Sequence, residues 1–247
     1  MKKNYNIADP EWEWYIGQLY YQLIKSFYDQ KINCVVELAP GFRHKIADAL
    51  KEINFSGTLY VIDYSSDVLE YIKDKYKSIL PNAKIVCINK KFEDCLELIP
   101  DKIDLFLSNH SIDDLIISSY SNDGYNEDVN NELLHDDLLE LWEQLYYDKE
   151  STNKIIDQLV FNFENFFDTK DIGLIIISQY KSNSYFLEKM DYMDKIVSNC
   201  FNRIKKLTAT DDDKVNNVLD FYPFGINDER YNGKYLTDNT QKVKVIQ

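Results

Sequence analysis

Apolar residues along the chain alternate between short β-branched runs and longer stretches with helical spacing. The runs at 32–38, 58–62, 83–88 and 103–107 are rich in Val, Ile and Leu, which is typical of buried strands. Between them, apolar positions recur every three or four residues, which indicates amphipathic helices. Strands that alternate with helices at this period predict an α/β fold with a doubly wound, mostly parallel sheet.

A separate helix is predicted ahead of the first strand. Asp9 and Pro10 form a good helix start, because Asp caps the free amides and Pro fits the first turn. We interpret residues 1–31 as an N-terminal helical cap rich in aromatic side chains. This helix either covers a substrate crevice or packs on the sheet.

The pattern changes after the fourth strand. A polar, turn-rich segment at 118–128 precedes two helical stretches, so residues 119–168 are predicted to be a helical insertion, or lid, before the fifth strand. The second of these helices is equally compatible with an ordinary crossover helix that leads into the strand at 171–178.

The C-terminal part completes the predicted sheet. A helix is expected at 185–201, a sixth strand at 204–210, and a seventh, antiparallel edge strand at 242–246. The chain is therefore predicted to form a single domain, 1–247, around a seven-stranded Rossmann-like sheet.

Charge and composition restrict the function. The net charge is −14, with 42 acidic against 28 basic residues, so nucleic acid and anionic membrane surfaces are disfavoured as partners. No run approaches 18 apolar residues and no signal peptide is recognised, so we expect a cytoplasmic location. Three His without ligand spacing and four scattered Cys predict no bound metal. The sequence is also compatible with a homodimer.

The turn after the first strand indicates the ligand. Residues 39–44 (APGFRH) contain one glycine instead of Gly-x-Gly-x-x-Gly, and Phe-Arg-His at the helix start would crowd a pyrophosphate. Glu37, at the end of the first strand, favours a ligand with a cationic group. Asp63 ends the second strand 22 residues after Gly41, where an acid binds ribose hydroxyls.

These residues resemble class I S-adenosylmethionine-dependent methyltransferases. Residues 35–41 (VVELAPG) are similar to the first motif of that family, 61–65 (VIDYS) to the second, and 103–110 (IDLFLSNH) to the fourth strand with its catalytic-side loop. The resemblance covers about 32–118 and the fifth strand. It implies S-adenosylmethionine as cofactor and a small-molecule or peptide substrate.

The resemblance also implies residue roles. Glu37 orders the methionine region, Gly41 allows its close approach, and Asp63 binds the ribose. Two family glycines are replaced, by Ala39 and Arg43, and Lys91 stands where the family often has an adenine-binding Asp. The full predicted cofactor set is Glu37, Ala39, Gly41, Arg43 (pairing with a carboxylate), Asp63, Tyr64 and Phe92 (packing on the adenine), and Asn109.

The loop after the fourth strand is the predicted catalytic position. The intrinsic pKa of a histidine suits a general base, which makes His110 the candidate, and Asp113 or Asp114 could orient it or the substrate. The competing interpretation is that His110 is a loop residue and that the two acids cap the next helix. His44 and His135 are weaker candidates.

Four functions compete at this point. The leading one is O- or N-methylation with S-adenosylmethionine. The others are transfer of a different group, such as aminocarboxypropyl, from the same cofactor; a catalytically silent subunit that binds a partner protein; and a nucleotide-dependent oxidoreductase, which the missing glycines disfavour.

Overall fold

The computed structural model describes residues 10–120, 133–179, 190–207 and 242–246, and these form seven α-helices and six strands. The helices are α1 (Pro10–Phe27), α2 (Lys45–Glu52), α3 (Ser66–Ile79), α4 (Ile112–Tyr120), α5 (Leu133–Tyr147), α6 (Lys149–Thr169) and α7 (Met190–Ile204). The strands are β1 (Cys34–Leu38), β2 (Thr58–Asp63), β3 (Lys84–Asn89), β4 (Lys102–Asn109), β5 (Asp171–Gln179) and β6 (Lys242–Ile246).

The strands form one sheet in the order β3-β2-β1-β4-β5-β6. The first five are parallel, and β6 runs antiparallel to β5. The chain moves outward from β1 through β2 to β3 and then returns to the other side of β1 with β4. This reversal creates a topological switch point between β1 and β4, where open α/β sheets bind ligands at the carboxyl ends of the strands.

The sheet confirms the five predicted parallel strands and the antiparallel edge strand at the C-terminus. The prediction of a strand at 204–210 is wrong for its described part, because Ile204 ends α7 and Lys205–Leu207 form a 3₁₀ turn. Residues 208–210 lie outside the described ranges. A seventh strand is therefore not part of the described sheet.

Helices cover both faces of the sheet. Alternation along β1 sends Val35 to one face, with α1, α2 and α3, and Val36 to the other, with α4 to α7. Ser65 caps α3, and its hydroxyl accepts the Val68 amide at 3.4 Å. Between β3 and β4 the chain forms two 3₁₀ turns, Phe92–Asp94 and Leu96–Leu98.

Two sequence alternatives are now decided by packing. Helix α1 is a core helix, since Leu19 and Leu23 are fully buried, although Trp14 remains exposed. Helix α6 is the crossover helix, because Phe163 and Phe166 pack against the aromatic ring of Phe106 on β4. Of the two helices in the predicted insertion, α6 leads into β5 and α5 is additional to this crossover.

Gly17 lets α1 approach α2 closely. A Cβ at this position would come within 3.1 Å of both the Asp48 side chain and the Lys45 carbonyl. The close approach brings the N-terminal part of α1 over the turn that precedes α2. Within the ranges given above, no helix is long and apolar enough to cross a membrane.

Candidate active site

The predicted polar residues converge at the carboxyl ends of three neighbouring strands. Glu37 on β1 is in register with Leu107 on β4, two residues before Asn109, and Asp63 ends the adjacent strand β2. This is the edge of the sheet at which the switch point lies.

Glu37 is a buried acid with one unsatisfied oxygen. The residue is only 3% exposed, and its Oε2 atom has no hydrogen-bond partner among the described residues. Burial is the main cause that raises the pKa of Glu37 to about 8; within this net value Tyr76 and the charge of Lys45 act to lower the pKa, and Asp63 makes a smaller contribution that raises it. An unpaired carboxylate oxygen in this environment is costly, so the site favours either a proton or a bound cation.

The Tyr76 hydroxyl links Glu37 to the first turn. It lies 3.0 Å from Glu37 Oε1 and 3.1 Å from the carbonyl oxygen of Arg43. A phenol has one proton, so it donates to only one of these acceptors at a time. When Glu37 is protonated, its own O–H can donate to Tyr76, and Tyr76 can then donate to Arg43.

Asp63 is held by backbone amides. Its Oδ1 accepts the Ser65 amide at 2.9 Å, and the amides of Gly41 and Tyr64 also donate to the carboxylate. Burial raises the pKa of Asp63 to about 6, an effect that these hydrogen bonds partly offset. On the next strand, the Asn89 side chain donates to the Tyr64 carbonyl at 2.7 Å and so fixes the loop after β2.

Two residues of the turn after β1 have left-handed backbone angles, and one of them is not a glycine. Ala39 has φ of 50° and Gly41 has φ of 57°. L-residues in this region cost about 1–2 kcal/mol, so a glycine would be the less strained choice at Ala39. A Cβ on Gly41 would meet no atom within 4 Å, so its backbone angle, rather than crowding, is what requires glycine there.

Residues after this turn are bound by Glu13 from α1. The Glu13 carboxylate accepts the His44 amide at 3.2 Å, lies 3.0 Å from His44 Nε2 and lies 3.8 Å from the Arg43 guanidinium. The other ring nitrogen of His44 is 2.7 Å from Asp48 Oδ2. The carboxylate partner that the sequence predicted for Arg43 is thus supplied within the chain by Glu13.

His110 and Asp113 form an oriented pair after β4. His110 adopts φ of 55°, its amide donates to the Ser178 carbonyl at 2.8 Å, and its Nδ1 lies 3.3 Å from Asp113 Oδ2. Gln179 donates to Asp113 Oδ1 at 3.2 Å and accepts the Ile112 amide at 3.3 Å. A strained residue held by this many contacts is typical of a functional position.

Asn109 belongs to a buried polar network. Its amide oxygen accepts the Lys45 ammonium at 3.0 Å, and its amide nitrogen donates to Ser178 Oγ at 2.7 Å. The Tyr20 hydroxyl lies 2.7 Å from Ser178 Oγ and donates to the Ser108 carbonyl at 2.6 Å. These contacts join α1, α2, β4 and β5 at the switch point.

Phe92 is not available for stacking on an adenine. It is 3% exposed, and its ring lies 4.9 Å from Phe163, 5.2 Å from Phe166 and 6.1 Å from Phe106, measured between centroids. The prediction that it packs on the cofactor is contradicted by this burial, since the ring faces are taken up by the core. Tyr64, in contrast, lies half-buried directly after Asp63.

Several residues of the site were not found from the sequence, namely Glu13, Tyr20, Lys45, Tyr76, Asn89, Ser178 and Gln179. Two carried a usable signal. Lys45 occupies the buried face of α2 at i−4 from Ala49, and Tyr76 lies among the apolar residues of the buried face of α3. The groups that bind their ammonium and hydroxyl lie on other elements, so these contacts depend on the fold.

No group of three or more His, Cys, Asp and Glu side chains within the described ranges is arranged to hold a metal ion.

Comparison with known proteins gives only distant likenesses. No protein-family model and no curated protein matches the chain. Among solved structures it is similar to the StiE O-MT, residues 961–1257, with 15% identity and a TM-score of 0.40 over 92% of this chain and 71% of that one.

Two further structures are similar to parts of the chain. The plantazolicin methyltransferase BamL, in complex with a triazolic desmethylPZN analog and SAH, has 12% identity and a TM-score of 0.44 over 80% of this chain and 61% of that one. The mitomycin 7-O-methyltransferase MmcR has 11% identity and a TM-score of 0.40 over 77% and 48%. Likenesses at this level assign neither activity nor substrate, so function is argued from the site.

Proposed function

We propose that this protein is an S-adenosylmethionine-dependent methyltransferase that methylates an oxygen or nitrogen of a small molecule or peptide. The observation that carries the proposal is Glu37, a buried acid with an unsatisfied oxygen at the switch point, next to Asp63 at the end of the adjacent strand. Two acids at this edge suit a ligand that combines cationic groups with a ribose.

Glu37 fits the ammonium of the methionine moiety. Its free Oε2 offers an acceptor to an N–H donor, and a positive charge offsets the cost of holding the carboxylate away from water. The neighbouring Gly41 provides open space, since a Cβ there would meet no atom. The turn after β1 has a single glycine and so lacks the glycine pattern that binds a pyrophosphate.

Asp63 fits the ribose. A carboxylate offers about four acceptor positions, and backbone amides of Gly41, Tyr64 and Ser65 orient it. Two vicinal hydroxyls can donate to the remaining positions. Tyr64 is proposed to border the adenine. Arg43 is proposed to border the carboxylate of the ligand, and the same guanidinium also pairs with Glu13.

His110 is proposed as the general base. With Nδ1 facing Asp113, the proton belongs on Nδ1, and Nε2 is the nitrogen that accepts a proton from the acceptor group. The cofactor supplies the electrophilic methyl group. The chain's own contribution is to align the acceptor and to remove its proton, and Asp113 and Gln179 keep the imidazole in one orientation.

Calorimetric titration tests the cofactor assignment. We expect S-adenosylmethionine and S-adenosylhomocysteine to bind with micromolar dissociation constants, and Asp63→Ala to weaken both by about 30-fold or more, as for loss of hydrogen bonds to a charged acceptor. The matched control is Asp67→Ala, an exposed acid in the first turn of α3. Absence of binding at millimolar ligand would refute the proposal.

A second experiment separates an active enzyme from a silent subunit. Methyl transfer from isotopically labelled cofactor to small-molecule and peptide acceptors is measured for wild type and His110→Ala. The base role predicts a loss of about 10²–10⁴ in kcat with unchanged cofactor binding. Full transfer by His110→Ala would exclude that role.

A further inference from the structure

A buried lysine lies between the two halves of the candidate site. Lys45 begins α2 and is 6% exposed, and its Nζ donates to Asn109 Oδ1 at 3.0 Å. Its charge also acts on Glu37, whose pKa it lowers. The ammonium is therefore adjacent both to the acid proposed for the cofactor and to the strand end that carries His110.

We propose that Lys45 is a charge-selecting residue, which makes the site bind the neutral thioether form of the cofactor in preference to the sulfonium form. The inference rests on the proposed function, because it concerns the same crevice. S-adenosylmethionine and S-adenosylhomocysteine share the ammonium, carboxylate and adenosine, and they differ by one methyl group and one positive charge on sulfur. An ammonium on a residue that is only 6% exposed acts on that difference.

The same charge would bear on methyl transfer. When bound, the cofactor would supply a methyl group from a positively charged sulfur; the acceptor's lone pair would bond to the methyl carbon, and the sulfur–methyl electron pair would return to sulfur and leave it neutral. Lys45 would destabilise the sulfonium reactant more than the thioether product.

Asn109 and Ser178 hold Lys45 in place. The Asn109 amide is fixed at both ends, with its oxygen on Lys45 and its nitrogen on Ser178 Oγ at 2.7 Å. Ser178 is in turn in contact with Tyr20. The lysine charge is therefore held by a buried network and does not depend on a mobile side chain.

The test is the ratio of two dissociation constants. Calorimetry with S-adenosylmethionine and S-adenosylhomocysteine is carried out on wild type, Lys45→Met and Lys45→Arg. For Lys45→Met we expect the ratio of the S-adenosylmethionine to the S-adenosylhomocysteine dissociation constant to fall about tenfold, which corresponds to about 1.4 kcal/mol. Lys45→Arg keeps the charge and is expected to keep the wild-type ratio.

The ratio reports on the charge on sulfur. Removal of Lys45 also favours the neutral form of Glu37, because the charge of Lys45 lowers the pKa of that acid. A less negative Glu37 attracts the sulfonium less and would raise the ratio, so this side effect opposes the expected fall and cannot mimic it. Lys51→Met is the matched control, since it removes an exposed lysine in the last turn of the same helix. It is expected to leave the ratio unchanged.

The outcomes distinguish this inference from the proposed function. If neither ligand binds wild type, the proposed function fails. If both bind and the ratio in Lys45→Met equals that of wild type, or if Lys51→Met changes it as much, the assignment of Lys45 is overturned. Circular dichroism of Lys45→Met verifies that the variant is folded; if it is not, Lys45→Gln, which also removes the charge and keeps a donor for Asn109, provides the ratio test.

Discussion

Replacing Glu37 by Gln is expected to stabilise the ligand-free protein at alkaline pH. The substitution removes the charge and keeps the shape of the side chain. The Gln amide can donate to the Tyr76 hydroxyl, which then donates to the Arg43 carbonyl, so the hydrogen bonds of this group are retained.

The magnitude follows from the acidity of Glu37. Burial raises the pKa of this group in the folded protein from 4.5 to about 8, so the folded chain keeps a proton that the unfolded chain has lost between these pH values. The free energy of unfolding therefore falls as pH rises through this window, by at most about 1.4 kcal/mol per pH unit. Between pH 6 and pH 8 we expect Glu37 to contribute a fall of about 2 kcal/mol.

Asp63 contributes little to the pH dependence in this interval. Burial raises its pKa to about 6, so most of its own contribution lies below pH 6. Other titratable groups are common to wild type and variant, so their contributions cancel in the difference between the two.

The assay is urea unfolding at pH 6, 7 and 8, monitored by circular dichroism. The difference in unfolding free energy between Glu37→Gln and wild type should grow with pH, with the variant the more stable at pH 8. Glu52→Gln, an exposed glutamate at the end of α2, is the control and should show no such trend. Parallel pH dependences for wild type and Glu37→Gln would refute the reasoning.

Four further outcomes are expected. Ala39→Gly should raise the free energy of unfolding by about 0.5–1 kcal/mol in urea titrations, because glycine adopts φ of 50° without a Cβ penalty; a destabilised variant would contradict this. Asp104→Asn should lower it by about 1–3 kcal/mol at pH 7, because Asp104 accepts the Asn33 and Cys34 amides and the Tyr28 hydroxyl; hydrogen bonding outweighs burial and lowers its pKa, so the effect should shrink as pH falls below about 4, and Asp171→Asn is the exposed control. Phe92→Leu should cost about 1 kcal/mol of stability and leave the S-adenosylhomocysteine dissociation constant within about threefold of wild type, whereas a larger loss of affinity would restore the stacking role. Cofactor binding at pH 7 should release about one proton, measured as the dependence of the calorimetric enthalpy on buffer ionisation heat, and Glu37→Gln should release none.

The sheet could be predicted because its elements carry local patterns. The β-branched runs, the Ser65 cap and the apolar faces of the helices all depend on residues close in sequence. The failed strand at 204–210 shows the limit of this approach. Phe201 and Ile204 are buried three residues apart, so the helical period of α7 continues through the residues that were interpreted as the start of a strand.

The site was predicted in part, for a related reason. Glu37, Asp63 and His110 could be proposed because each lies at or directly after the carboxyl end of a strand, and position along the chain specifies the sheet edge. Lys45 and Tyr76 were missed because their partners, Asn109 and Glu37, lie 64 and 39 residues away. Phe92 was misassigned because its neighbours come from α6, which is distant in sequence.

The attachment of α1 has a consequence for the order of folding. Its Tyr20 contacts Ser178 across 158 residues, and Ser108 across 88. During synthesis α1 leaves the ribosome before β5, but the surface that its Tyr20 hydroxyl contacts is complete only after β5 has emerged. Contacts of such long sequence separation are formed late, since loop closure must precede them. The crevice at the switch point is therefore expected to be among the last parts of the domain to assemble, although it is bordered by a helix that is made before the whole sheet.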